Sequence, residues 1–432
     1  MVRKSPKSAS RKLESAASTR RSQRSREPQP MFGQPRPSPD PTRFLIPHPS
    51  DDWEYARVNK HLLQPVPVAR GGAVEPVLTL ADALGSGGTK TVESIQRSGQ
   101  LVFHCVGDTG SVRGPQTQSL VADKMVADFT EMNPLSVPHF FYHLGDVVYS
   151  FGEARYYYDQ FYEPYREYPA PIFAIPGNHD GLVFNGDRDR TLEAYLRNFC
   201  ADAPVHTPEA GGLMRTAMTE PGVYYTFEAP LVRILGMYSN VLEDPGVISS
   251  EGDPESPVSD VQLEFLAAAL RRAKQDTAAG RFRGAVLVAV HHPPFTYGGE
   301  HSGSPRMLQD LDDAAQKAGF WPHAVLSGHA HNYQRFTRTV GKTQIPYIVA
   351  GCGGHAITRL RHDAAGAIRT PAQVTDSLVF ENYDDRHYGY LRVTVTEMQL
   401  KFEFHPAEDG SSEKTPDDRV VVDLRTRRLI TA

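Results

Sequence analysis

Residues 101–110 read LVFHCVGDTG, a short run dominated by apolar side chains that stops at Gly107-Asp108. A bounded run of this length, rich in β-branched and aromatic residues, predicts a strand covered on both faces. The carboxylate directly after a glycine predicts a sharp turn that swings a ligand-type group out of the strand end. The pattern recurs in HFFYHLGDVVY (139–149), PIFAIPGNHD (171–180), GAVLVAVHHPP (284–294) and HAVLSGHAHNYQR (323–335). In an open α/β sheet, ligands bind beyond the carboxyl ends of the strands, so five such endings predict convergence on one crevice.

The segments between these endings fill in the layout. TQSLVADKMVADFTEM (117–132) and VQLEFLAAALRRAKQ (261–275) carry helical periodicity, and VYYTFEA (223–229) with LVRILGMY (231–238) predicts a hairpin. PYIVAG (346–351), YGYLRVTVTEMQLKFEFH (388–405) and RVVVDL (419–424) predict a strand-rich ending. The chain is therefore expected to be α/β, with a sheet-rich second half.

Composition sets the outer limits. Hydrophobic residues at 40% and charged residues at 22% suit a soluble globular protein, and no apolar run is long enough to span a bilayer. Residues 1–50 hold 11 Lys or Arg against 3 acidic residues, so that, from a total of −5, the rest of the chain carries −13. An acidic body argues against general nucleic-acid binding, and no specific nucleic acid is expected as a partner. Residues 1–50 read as a disordered basic, Pro-rich leader and linker, residues 51–97 as an extension of unknown structure, and residues 98–432 as the folded domain that carries the five strand endings. Arg20-Arg21 lacks the apolar stretch that an export signal needs, and Cys105, Cys200 and Cys352 form no close pair. Free buried thiols without an export signal make the cytoplasm the expected location.

The chemistry lies in the five endings taken together. Asp108 and Asp146 offer carboxylates, Asn178 a neutral carbonyl oxygen, and His179 a ring able to hydrogen-bond or protonate a phosphoryl oxygen. His291 and His292 follow a strand and precede Pro293, while His329 and His331 stand two apart in GHAHNYQR, which in an extended segment places them on one face. No GxSxG elbow and no phosphate-cradling P-loop lysine supplies a competing chemistry.

The ordered set GD-x-G, GD-x-x-Y, GNH-D, H-x-P and GH-x-H resembles the calcineurin-like metallophosphoesterase family over most of residues 98–335. The resemblance implies a two-sheet β-sandwich flanked by helices, a four-layer fold with the metal site at the carboxyl ends of the strands. Many members carry D-x-H in the first motif; here Gly110 stands in place of that histidine and Tyr149 follows Asp146 by three residues, an exchange similar to purple acid phosphatases. The resemblance further implies that Asp108, Tyr149 and His331 hold one metal ion, that Asn178, His291 and His329 hold a second, and that Asp146 bridges them. His291 fits the family's spacing to Pro293, with His292 left open by Pro294. A phenolate is a hard ligand suited to Fe(III), beside a divalent Fe, Zn or Mn ion. His179 and His301, the latter in GGEHSG, are the implied catalytic residues, whereas His104, His143, His323 and His355 read as supporting or core residues. The expected activity is hydrolysis of phosphate monoesters by in-line attack of a metal-bound hydroxide. Phosphodiester hydrolysis, including that of cyclic nucleotides, at the same centre is the alternative, and a non-catalytic metal-binding regulatory module ranks below both.

Overall fold

A computed structural model describes Leu63 and residues 66–430, apart from 113, 131–132, 184–189, 299–300, 363–367 and 408–415. The leader expected over 1–50 lies outside the described residues. In chain order the strands are β1 (Val77–Thr79), β2 (Gln100–Val106), β3 (Phe141–His143), β4 (Ile172–Ala174), β5 (Tyr225–Ala229), β6 (Val232–Met237), β7 (Ala285–Val290) and β8 (Ala324–Ser327). They continue as β9 (Tyr333–Val340), β10 (Thr343–Ala350), β11 (Ala372–Thr375), β12 (Leu378–Asp384), β13 (Gly389–Thr396), β14 (Gln399–Pro406), β15 (Asp418–Asp423) and β16 (Arg428–Leu429).

Two sheets result. One has nine strands in the order β1-β5-β6-β7-β8-β10-β9-β12-β11, and the other has seven in the order β16-β15-β14-β13-β2-β3-β4. The expected two-sheet α/β fold is therefore present, and the expected hairpin is the antiparallel pair β5–β6. Strands β2, β3 and β4 run parallel in the second sheet, as do β6, β7 and β8 in the first. Parallel strands need covering on both faces, which is why their sequences are nearly continuous apolar runs. Strand β1, from the segment preceding residue 98, adds to the edge of the nine-stranded sheet beside β5.

The inner faces of the sandwich meet in an aromatic layer. Phe140, beside β3, contacts Phe227 of β5 with ring centroids 4.8 Å apart, and Phe227 lies 4.3 Å from Phe173 of β4. Tyr333 of β9 stacks on Phe404 of β14 at 4.2 Å. Outside the sandwich, the helix Val261–Ala278 buries Phe265, Leu266, Ala269, Leu270 and Ala273, a stripe at helical spacing that faces the core. No helix among the described residues is long and apolar enough to cross a membrane.

Phe227 is fully buried and touches rings of the opposite sheet. Phe227→Ala should lower unfolding stability by about 3–5 kcal/mol, because the sandwich can close only part of the cavity. Urea denaturation of the two proteins measures it, and a loss below about 1 kcal/mol would mean that the two inner faces do not depend on this contact.

Candidate metal centre

Five turns bring the ligand-type side chains together, but not in the crevice of a single sheet. Asp108 follows β2, Asp146 and Tyr149 follow β3, and Asn178 and His179 follow β4, all in the seven-stranded sheet. His291 follows β7, and His329 and His331 follow β8, in the nine-stranded sheet. The site lies where these two sets of strand ends meet. Every one of these residues is at most 5% exposed.

The turning is done by the ligands themselves. Asp108, Asp146 and His329 have φ of 57°, 55° and 66°, in the left-handed region that side chains other than glycine seldom adopt. The sequence reading placed the sharp turn on the preceding glycines. Only Gly145, with φ 96°, shares it, and Gly107 does not. His329 N–H donates to Asp108 Oδ2 at 2.9 Å, and His179 N–H donates to Asp146 Oδ1 at 2.9 Å, so these backbones are fixed by the carboxylates they present. Gly177 is required for another reason: a Cβ there would collide with Asp146 Oδ1. The GHAH segment is also not extended as expected. Ala330 N–H donates to Gly328 O at 2.8 Å and Asn332 N–H to Ala330 O at 2.7 Å, a doubled bend that sends His329 and His331 into the site.

Two groups of donor atoms form around Asp146. In the first, the Tyr149 hydroxyl lies 2.8 Å from Asp146 Oδ2, 3.0 Å from Asp108 Oδ1 and 3.2 Å from His331 Nε2. In the second, His291 Nε2 is 3.2 Å from Asp146 Oδ2, and one ligand atom each from Asp146, His291 and His329 lie within 4.8 Å of one another. Asn178 Oδ1, His291 Nε2 and His329 Nε2 are buried and make no hydrogen bond among the described residues. Buried polar atoms are rarely left so, and two of these, His291 Nε2 and His329 Nε2, belong to the close group with Asp146. Donors spaced in this way suit cations with bonds of about 2.0–2.2 Å, so the residues fit a metal pair.

Charge gives the same answer. Burial pushes the Asp108 carboxyl up to about 7, with His291 pulling it down and Asp146 pushing it further up. Burial works in that direction on Asp146 too, yet the imidazoles of His291 and His179 hold it well below the usual carboxylate range. His291 rises to about 10: burial opposes its charge, but Asp146 and Asp108 outweigh it. Burial and neighbouring imidazoles drive His329 and His331 far down, leaving both neutral. In the metal-free site Asp108 and His291 thus hold protons more tightly than usual, and a cation bound there would compete with those protons.

The surrounding groups orient the donors. His291 Nδ1 donates to Leu144 O at 2.8 Å, which turns Nε2 toward Asp146. His292, the alternative left open by the sequence, has both nitrogens engaged, with Ser239 Oγ at 2.6 Å and Leu242 O at 2.8 Å, so it supports a loop instead. Burial keeps it neutral, its pKa lowered to about 3. His179 Nδ1 donates to Ser150 O at 3.0 Å, and its Nε2 lies 3.9 Å from Asp146 Oδ2. His301 packs against His329 and His331 with ring centroids 4.2 and 5.2 Å away. His355 stacks on the Tyr149 ring at 3.6 Å, and His143 Nε2 bonds to Thr109 Oγ1 at 2.9 Å, both in supporting positions as expected. His104 pairs with Asp128 at 3.0 Å and His323 Nδ1 accepts from Val286 N–H at 2.9 Å, both in the core.

Four residues were not singled out from the sequence. Asp180 accepts from Gly177 N–H at 2.8 Å and Val147 N–H at 3.0 Å, tying two ligand turns together; its place in GNHD was the available signal. Gln160 accepts from Tyr149 N–H at 2.8 Å and donates to Tyr149 O at 2.6 Å, clamping that residue's backbone. Glu243 and Asp244 stand at the mouth of the site, within 3.9 and 3.5 Å of His301 Nδ1. Nothing in the spacing of Gln160, Glu243 or Asp244 sets them apart.

Residues 101–333 match the family model described as calcineurin-like phosphoesterase. Comparison with curated proteins finds no match. Among solved structures, GAP50, "the anchor in the inner membrane complex of Plasmodium", is 14% identical with a TM-score of 0.47, covering 72% of this chain and 86% of its own. PhoD is 13% identical with a TM-score of 0.45, covering 77% and 72%. A 5'-nucleotidase from Staphylococcus aureus is 14% identical with a TM-score of 0.37, covering 76% and 57%. Likenesses this distant say nothing of substrate.

The raised groups set a pH dependence. Asp108, at about 7, and His291, at about 10, hold protons more tightly in the folded metal-free protein than their ordinary values of about 3.9 and 6.5. The stability they supply is complete below those ordinary values and is lost as pH rises through the folded ones, from about pH 4 to 7 for Asp108 and about 6.5 to 10 for His291. Metal-free protein should therefore melt at a lower temperature at pH 9.5 than at pH 7.5, a range above the titration of the histidines whose pKa values burial lowers, and metal should narrow that gap. Calorimetric scans at both values test it; a melting point that climbs with pH in metal-free protein would contradict the charge assignment.

Proposed function

The chain belongs to the calcineurin-like phosphoesterase family, hydrolases of phosphoric esters, and from that premise we propose that its centre is of the purple acid phosphatase kind and cleaves phosphate monoesters. The supporting observation is the Tyr149 hydroxyl within 2.8–3.2 Å of Asp146, Asp108 and His331. Gly110 complements it: a Cβ there would collide with Gln160 Oε1, so the histidine found at that position in many family members has no room. Asp108, Tyr149 and His331 would hold Fe(III); Asn178, His291 and His329 would hold a divalent Fe, Zn or Mn ion; Asp146 would serve both. Such a pair, when bound, neutralises phosphoryl oxygens and makes water acidic enough to attack at neutral pH.

The chain's own groups do the rest. His179 keeps its Nδ1 proton on Ser150 O, which aims Nε2 into the site, where the imidazolium form donates to a phosphoryl oxygen. Water oxygen bonds to phosphorus and keeps one proton, the ester P–O bond breaks, and its electron pair leaves with the alcohol oxygen. That oxygen takes a proton from His301, which the water's second proton restores, giving alcohol and inorganic phosphate without a phospho-enzyme. In this reading residues 98–432 are the catalytic domain, 51–97 an extension and 1–50 a basic leader.

Purified protein should hydrolyse p-nitrophenyl phosphate at least about tenfold faster than its bis-ester, a gap of about 1.4 kcal/mol in barrier. The reverse preference would replace the monoester assignment with a phosphodiesterase, and inactivity on both with metal present would remove the hydrolytic one. As-isolated protein should also show a visible tyrosinate-to-iron band that Tyr149→Phe abolishes. A colourless, active manganese or zinc enzyme would remove the purple branch.

A further inference from the structure

Away from the metal centre, at the amino end of β4, the fold leaves a cleft of about 370 Å³ between the short helix Leu80–Leu84, the turn that leads into β4 and the loop 214–219. Asn178 stands beyond the opposite end of β4, and no residue lining the cleft belongs to the metal centre. The loop wall is fixed in place. Ala217 N–H donates to Val205 O at 2.8 Å, Met218 N–H donates to Asn198 O at 3.0 Å, and Arg70 Nη2 donates to Thr219 O at 2.8 Å and Glu220 O at 2.9 Å.

Arg215 lines this cleft, and its surroundings are unusual for a cation. Nη1 donates to Ala170 O at 3.1 Å, and Nη2 donates to Tyr165 O at 3.2 Å and Tyr168 O at 2.5 Å, so three of its five N–H groups cap the turn before β4. Its Nε is buried and makes no hydrogen bond among the described residues. Burial pushes the guanidinium pKa down to about 10, with only the Tyr168 and Tyr162 hydroxyls pulling it back up and no carboxylate contributing, so the group keeps its full charge near neutral pH. Neighbouring Arg166 differs in being held by Glu163 and, at 3.3 Å, by Glu167.

Capping three carbonyls accounts for Nη1 and Nη2 of Arg215. It accounts neither for the charge, which is costly to bury without a counter-anion, nor for the buried Nε donor left over. One anion seated in the cleft would answer both. The charge to be matched is a single unit, which favours a carboxylate over a phosphate dianion. Met214, Met218, Pro169, Pro204 and Ala83 line the same cleft and offer apolar surface to the rest of a ligand, with Met214, 85% exposed, at the rim. The volume lies within the range of small-molecule sites. We propose that the cleft around Arg215 is a second binding site, separate from the metal centre, for small organic carboxylates that carry an apolar chain.

The test uses the full chain at neutral pH with 6,6,6-trifluorohexanoate and its uncharged counterpart 6,6,6-trifluorohexanol, both followed by fluorine NMR. The carboxylate should bind saturably with a Kd of about 1 mM or lower, and the alcohol at least about tenfold more weakly. In wild type labelled at its methionine methyl groups, the carboxylate should shift the signals of Met214 and Met218. Ala83→Phe fills the cleft from the helix side and leaves Arg215 with its carbonyl partners, so carboxylate affinity should drop at least about tenfold. In Arg215→Met the preference for acid over alcohol should fall to about one. The methionine signals decide the matter in the wild type even where a variant fails to fold. Absence of saturable binding, equal binding of acid and alcohol by the wild type, unmoved Met214 and Met218 signals, or affinity that survives in Ala83→Phe overturns the site. None of these readouts involves phosphoester hydrolysis, so each leaves the hydrolase reading untouched.

Discussion

Two buried carboxylates, Asp108 and Asp146, both bonded to one tyrosine hydroxyl, set the terms for the rest of the structure. Burying a charge is costly unless it is paired, and anions this close cannot both ionise without a cation between them. Without metal the compromise is visible: burial raises the Asp108 carboxyl to about 7, His291 is favoured as a cation against Asp146 at 3.2 Å, and Asn178 Oδ1 and His329 Nε2 make no hydrogen bond among the described residues. In the reading proposed above, two metal ions would relieve these strains together. The candidate metal centre is thus a region of the protein that is incomplete by its own electrostatics.

The sandwich makes that arrangement possible. Three parallel strands of one sheet and two of the other end at the same edge, so that short turns, each anchored by a strand, reach a common point. Left-handed backbone at Asp108, Asp146 and His329 costs on the order of 1–3 kcal/mol per residue. It persists because backbone N–H groups of His329 and His179 bond to the carboxylates themselves, and because Asp180 ties the turns after β3 and β4 together. The aromatic layer between the sheets then carries the stability that the strained edge gives up.

Much of this was legible in the sequence, for identifiable reasons. Apolar runs ending in GD, GNH, HH and GHAH mark strands and ligands together, because strand burial and metal binding each leave a strong local pattern. The sheet count was not readable from periodicity and came through the family resemblance. The bend in GHAH was missed because a two-residue spacing of histidines fits an extended segment equally well until the bonds Ala330–Gly328 and Asn332–Ala330 are seen. The choice of His291 over His292 needed the partners of both rings. Gln160, Glu243 and Asp244 act through contacts between distant parts of the chain, which no local pattern records.

The central claim is that one carboxylate, Asp146, joins two cations. Anomalous diffraction from crystals of as-isolated protein, collected on either side of the iron edge, tests it most directly. Two peaks should appear, the iron peak within bonding distance of Asp108, Tyr149 and His331, the other beside Asn178, His291 and His329, with Asp146 touching both. A single peak, or a metal bound away from Asp146, would contradict the account.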